Sequence, residues 1–160
     1  MSINAKQLRE LIIRTTLHDM AMWSESAENM VIGTAAQESH LGEHIKQIGG
    51  GPALGLYQCE PATHADVYSY LRNNEFRLFG KTLPNDLRPV GPVNHERLIY
   101  DLRYATMICR LHYYRVKEAL PSADDMDGIS NYWKKYYNTR LGKGKPAEFV
   151  RNYERYVING

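Results

Sequence analysis

The stretch "AAQESHLGEHIKQIGGGPALGLYQCEPATH", residues 35–64, decides how this chain reads. An apolar run ends in a carboxylate, Glu38, and a glycine-rich segment follows, with Gly49, Gly50, Gly51, Pro52 and Gly55. Upstream, Ala27, Val31, Thr34, Ala35 and Glu38 recur at helical spacing. Glu38 therefore shares a helix face with small apolar side chains and points toward the core or into a cleft. Ionising a carboxyl there is costly, so without a paired cation its pKa rises and the acid stays protonated near neutral pH. Cleavage of a glycosidic bond needs such a group, because the leaving oxygen must be protonated as the bond breaks. The competing reading is a glutamate at a helix end that reaches out to solvent.

Outward from this stretch the pattern is helical. Leu8, Leu11, Ile12, Thr15 and Met22 predict a first amphipathic helix over residues 4–22. Ser24 reads as the N-cap of a second, running to about Ser39, with Glu25 and Glu28 in its first turn favourable to the helix dipole. Residues 45–58 read as a loop, with room for a short hairpin. A third helix is expected from Ala62 to Leu71, then irregular chain over residues 73–93, which Gly80, Pro84, Pro89, Gly91 and Pro92 punctuate. The longest helix is expected from Asn94 to Ala119, capped by Asn94 and halted by Pro121. Its core stripe is Leu98, Leu102, Ala105, Ile108, Cys109, His112 and Val116. Asp124 to Asn138 follows with Met126, Ile129, Trp133 and Tyr136 in register. The turn "RLGKGKP" then leads to a last helix carrying Phe149, Tyr153 and Val157.

The 160 residues suit one domain with its own core, and no repeat or linker divides them. Twenty Lys and Arg against 18 Asp and Glu leave a net charge of +2, which argues against a nucleic-acid binder but still allows a basic patch to meet an anionic polymer such as a bacterial wall. Cys59 and Cys109 are too few for a disulfide framework and read as thiols in a reducing compartment. Lys6, Arg9, Glu10 and Arg14 interrupt the N-terminal apolar positions, so no signal peptide is expected, and no stretch is long enough for membrane insertion. A soluble protein made in a cytoplasm is the expectation.

"AAQESHLG" followed by "ALGLYQCEPATH" resembles the soluble lytic transglycosylases and goose-type lysozymes. That family's hallmarks are a helix ending in Glu-Ser, a glycine-rich loop, then Gly-Leu-Met-Gln with Pro-Ala-Thr behind it. Glu38 and Ser39 match the first element. Gly55, Leu56 and Gln58, with Tyr57 in place of Met, match the second, and Pro61, Ala62 and Thr63 match the third. The resemblance covers residues 30–65 well and the last third loosely. It implies a mainly α, lysozyme-like fold with a glycine-rich loop or small hairpin beside an active-site cleft. It also implies cleavage of peptidoglycan between N-acetylmuramic acid and N-acetylglucosamine, with Glu38 as general acid and base and no cofactor or metal. Ser39, Gly55, Tyr57, Gln58 and Tyr132 would line the cleft or hold Glu38. In such enzymes a Tyr-Asn pair on a later helix approaches the glutamate. In "GISNYWKKYYNT" one register places Tyr132 at the tyrosine and Trp133 at the asparagine, while the literal pair is Tyr137-Asn138. An aromatic core stripe is the plain alternative for this segment.

A muramidase needs a second carboxylate roughly 5 to 9.5 Å from the first, and Glu60 and Asp66 are the near candidates. A transglycosylase does without one, because the substrate's own hydroxyl attacks, and anhydro products are the favoured expectation. A bacteriophage lysis enzyme released through a membrane pore, or a virion-borne enzyme with other virion proteins as partners, fits a bare domain acting on the wall or in the periplasm. A catalytically lapsed virion or wall-binding module is the non-enzymatic alternative. "HLGEH" offers His40, Glu43 and His44 as a zinc peptidase centre, but that motif requires a continuous helix, and Gly42 sits where the second helix should stop. With no clear third ligand, surface histidines are the favoured reading. Cys59 with His64 or His112 lacks an orienting partner and reads as packing rather than a thiol protease. "GGGPALG" and "GKGK" lack a phosphate loop's context and read as turns.

Overall fold

The computed structural model describes residues 1–80 and 83–160, which are mainly helical. Helix α1 comprises Ala5–Gln7, a π-turn Leu8–Ile13 and Arg14–Asp19. Asn4 caps it, its side chain accepting the Gln7 N–H at 3.0 Å. In the π-turn the Arg14 N–H reaches back to the Arg9 carbonyl, which adds one residue to that turn and rotates the face that follows. Leu8, Ile13, Leu17 and Met20 are therefore buried, while Leu11 is exposed at 63% and Thr15 faces solvent. The expected stripe is corrected by that one inserted residue at Leu11 and Thr15, while Ile12 stays packed against the core.

Helix α2, Glu25–Ser39, begins as expected at Ser24, whose hydroxyl accepts the Ala27 N–H at 3.0 Å. It is buried on nearly every side, through Met30, Val31, Ile32, Thr34, Ala35 and Ala36. Glu28 does more than complement the helix dipole. Its carboxylate is only 2% exposed and meets Arg9 at 2.9 Å, Arg14 at 2.8 Å and the Trp23 indole N–H at 2.7 Å. Burial opposes its charge, but the hydrogen bonds from Arg14, Trp23 and Arg9 outweigh that and hold the carboxyl down at about 2. A carboxyl depressed by folding stabilises the fold above its unfolded pKa, and that stability is lost as pH falls toward 2. Glu28→Gln should cost about 3 kcal/mol at pH 7. It should also flatten the decline of the thermal midpoint between pH 5 and 2. A midpoint equal to wild type at pH 7 would show that the cluster adds nothing.

After α2 the chain forms the glycine-rich loop. Antiparallel bridges Lys46–Leu54 and Leu54–Cys59 pinch it, and no strand forms among the described residues. Helix α3, Pro61–Phe79, starts on Pro61 and stops at Gly80. It passes well beyond the expected end at Leu71, because Leu78 and Phe79 keep contact with the core. A 3-10 turn, Asn85–Leu87, precedes α4, Arg97–Tyr100, and α5, Leu102–Tyr114. The expected single helix from Asn94 to Ala119 is thus broken at Asp101. Its backbone leaves the helical region (φ −112°, ψ 92°), and its carboxylate accepts the Tyr104 N–H at 2.9 Å while pairing with Arg97 at 2.9 Å. A side chain that caps a new helix competes with continuation of the old one. Chain leaves α5 after Tyr114, ahead of Pro121.

Helix α6 comprises Met126–Trp133 and a π-turn Lys134–Asn138; α7 comprises Pro146–Asn152 and a π-turn Tyr153–Ile158. Asp125 caps α6 through the Gly128 N–H at 2.9 Å. Phe149 and Tyr153 are buried as expected. α1, α5, α6 and α7 all pack against α2, and the buried apolar side chains join in one cluster. Among the described residues no helix is long and apolar enough to cross a membrane.

Candidate active site

The C-terminal end of α2 opens onto a cleft of about 890 Å³. Gln37 and Glu38 form its floor, and the glycine-rich loop supplies one wall through His44, Gln47, Ile48, Ala53 and Gln58. The opposite wall is Trp133, Tyr137 and Asn138 of α6 with the turn through Leu141, Lys143 and Gly144. Most of the lining side chains are polar or charged, Gln47, Gln58, Glu60, Asn138, Lys143 and Glu148 among them, which suits a polar ligand.

Glu38 meets the Trp133 indole, whose Nε1–H donates to Oε1 at 2.9 Å. Burial is the main influence on this carboxyl and pushes it up to about 7, against the smaller opposing effect of that hydrogen bond. An indole N–H donates and cannot accept, so it engages Oε1 as an acceptor and favours the proton of neutral Glu38 on Oε2. The arrangement keeps a share of this carboxyl protonated at neutral pH and leaves one oxygen to carry the proton. Trp133→Phe removes the influence that lowers this pKa, so the midpoint of Glu38 should move further above 7. NMR titration of the carboxyl carbon reads the shift directly, and an unmoved or lower midpoint would show that the indole does not set it.

The structure separates the other expected residues into those that line the cleft and those that support it. Gln58 lines it, held at φ 47° with its amide donating to the Gly55 carbonyl at 2.9 Å. Ser39 does not: it is fully buried, its hydroxyl 2.6 Å from the Leu56 carbonyl oxygen while accepting the Gly42 N–H at 2.9 Å. It fastens the loop to the end of α2. Tyr57 is also buried, with its hydroxyl 2.7 Å from that of Thr106, so its ring supports the loop from behind. Gly55 is buried against α4 and does not border the cleft.

Tyr132 lies on the other side of α6. Its hydroxyl donates to the Glu118 carbonyl at 2.8 Å, and its ring packs on Tyr136 at 4.7 Å around a separate, smaller pocket. Residues four apart share a helix face, so Trp133 and Tyr137 look into the cleft while Tyr132 and Tyr136 look away. The literal Tyr137-Asn138 pair is therefore the one at the cleft. The Tyr137 hydroxyl donates to the Tyr57 carbonyl at 2.5 Å, tying α6 to the loop. Of the two candidate second carboxylates, Glu60 borders the cleft and is exposed, whereas Asp66 pairs with Arg115 at 2.7 Å outside it.

Sequence reasoning missed Trp133 as the partner of Glu38, Glu148 as a further carboxylate of the cleft, and the exposed aliphatic side chains Ile48 (73%) and Leu141 (92%) on its two loops. Glycine spacing held a clue to the first. A Cβ on Gly144 would come within 2.6 Å of the Trp133 ring, so "GKGK" lets the turn lie directly on the indole.

The remaining constellations have defined places. Burial pushes the Cys59 thiol up to about 12. His64 is committed to His95 at 2.9 Å and Tyr104 at 2.7 Å, and His112 donates from Nε2 to the Tyr136 carbonyl at 3.0 Å. A protonated thiol with engaged histidines is no nucleophile. α2 ends before Gly42, as expected, so "HLGEH" is not helical, yet its three side chains still converge: one ligand atom from each of His40, Glu43 and His44 lies within 4.8 Å of the others. Comparisons with protein-family models, curated proteins and solved structures find no match to this chain.

Proposed function

We propose that this protein is a peptidoglycan-cleaving enzyme with a lysozyme-like domain, cutting between N-acetylmuramic acid and N-acetylglucosamine with Glu38 as the acid. One observation carries the reading: a carboxyl lining a cleft, poised near neutrality by burial, with one oxygen engaged by a donor-only partner. The motif resemblance supports it, since Glu38-Ser39 and the Gly55–Gln58 segment are joined through Ser39 and Leu56. Glu38 Oε2–H protonates the glycosidic oxygen, the C1–O4 bond breaks, and the glucosamine part leaves with a 4-hydroxyl. The muramic 6-hydroxyl then attacks C1 and returns its proton to Glu38, leaving a 1,6-anhydro end and the enzyme unchanged.

The test is mass spectrometry of purified sacculi digested across pH 5 to 9. Anhydro-muropeptides, lighter by one water than reducing ends, are expected. The rate should decline tenfold per pH unit once Glu38 loses its proton above about 7. Reducing ends alone would assign a hydrolase, with Glu60 or Glu148 as second carboxylate. No soluble muropeptides from folded protein would remove the reading.

A further inference from the structure

We propose that His40, Glu43 and His44 form a binding site for a divalent transition-metal ion of the zinc class, on the turn where α2 leaves the core beside the cleft. The donor set is two imidazoles and one carboxylate, which suits a borderline ion. Magnesium and calcium prefer oxygen cages. Three protein ligands with a fourth position left to water is a recurring zinc arrangement.

The turn holds its ligands before any ion arrives. The His40 and Leu41 N–H groups bond back to α2, the Gly42 N–H donates to the Ser39 hydroxyl at 2.9 Å, and the His44 N–H donates to the Ser39 carbonyl at 3.2 Å. That brings the two imidazole rings to a centroid separation of 5.6 Å, with His40 Nδ1 3.8 Å from Glu43 Oε2. The His40 ring is further fixed by stacking on Tyr156 at 4.9 Å. Around a tetrahedral zinc ion, donors at about 2.0 to 2.2 Å from the metal stand roughly 3.4 Å apart. Glu43, which is exposed, and His44, which is partly exposed, are the side chains free to close from 4.8 Å toward that spacing. Arg155, stacked on the far partner Tyr156, opposes a cation here and limits affinity without blocking the donors.

Glu43 is a ligand in this set, so it is not the free general base that a helical H-x-x-E-H peptidase requires. The ion instead cross-links the end of α2, whose last turn carries Glu38, to His44 on the cleft wall. The site does not depend on the proposed glycan cleavage, and the readout is binding alone.

Tag-free full-length protein, stripped with chelator, is titrated calorimetrically with zinc and, separately, with magnesium. Bound metal is then counted after gel filtration. One equivalent of zinc and no magnesium are expected. His44→Ala and Glu43→Gln should each weaken zinc at least about tenfold, the lower bound of what even outer partners contribute. Glu43 is exposed, so Glu43→Gln keeps its circular dichroism and tests the site without risk to the fold. His18→Ala, whose ring stacks on Trp23 away from the turn, should bind zinc as wild type does. No zinc binding, equal binding of magnesium, retention in His44→Ala, or equal loss in His18→Ala would each overturn the site.

Discussion

Glu38→Gln should abolish wall lysis and at the same time make the protein more stable at alkaline pH. The activity side follows from the proposed acid: a glutamine amide has no proton to give to the leaving oxygen, and general acid catalysis is worth roughly 10²- to 10⁴-fold. The stability side needs only the structure. Folding raises the Glu38 pKa to about 7, so the native state prefers the neutral acid. Below the unfolded carboxylate pKa both states are protonated and the residue is neutral for stability. As pH rises through that value toward 7 the native state increasingly pays for a charge it disfavours, and above 7 the penalty is complete. Glutamine resembles the neutral acid in shape and can still accept the Trp133 N–H. Glu38→Gln should therefore match wild type near pH 4 and exceed it by about 2 to 3 kcal/mol near pH 8. Urea denaturation at the two pH values separates the effects. A variant no more stable at pH 8 would mean that Glu38 is not disfavoured as a charge. A stabilised variant that still lyses walls would remove the residue from the chemistry.

Gly55→Ala should be the most disruptive single substitution in the glycine-rich loop, behind the cleft wall. Gly55 adopts φ +79°, where an L side chain is strained, and an added Cβ would lie 2.0 Å from the Leu98 carbonyl oxygen and 2.7 Å from its carbon. Those atoms are backbone of α4, so no rotamer change relieves the contact. A loss of about 4 kcal/mol is expected, toward the upper end for single substitutions. Damage should spread along the loop, because the Gly55 N–H donates to the Ile45 carbonyl at 2.8 Å and the Gly55 carbonyl accepts both N–H groups of Gln58, at 3.1 and 2.9 Å. Chemical denaturation gives the loss, and limited proteolysis locates new cleavage in residues 45–60. Wild-type stability with weakened glycan binding would instead return Gly55 to the ligand-contact role that the motif resemblance implies.

Legibility of the sequence followed the range of the interaction. Ser24 as N-cap, the end of α2 near Ser39, and the apolar company of Glu38 are effects within a few residues, and caps with periodicity reveal them. The raised pKa of Glu38 was legible for the same reason: its cause is burial on that helix face. The π-turn in α1 was not legible, since one inserted residue changes which side chains are buried without changing composition. Nor was the break at Asp101, where a residue able to continue a helix instead caps a new one beside Arg97.

At the site, a one-residue register error on α6 is a rotation of about 100°, enough to exchange Tyr132 for Trp133 and Tyr137. By itself the sequence determined that a carboxyl of altered acidity ends a buried helix next to a glycine-rich loop. Tertiary packing alone decided that an indole 95 residues away holds one of its oxygens, that Ser39 and Gly55 brace the cleft rather than line it, and that His40, Glu43 and His44 converge after their helix has ended. Local propensity acts along a turn of chain; the orientation of a side chain against a distant one depends on how whole helices pack, which no short window of residues contains.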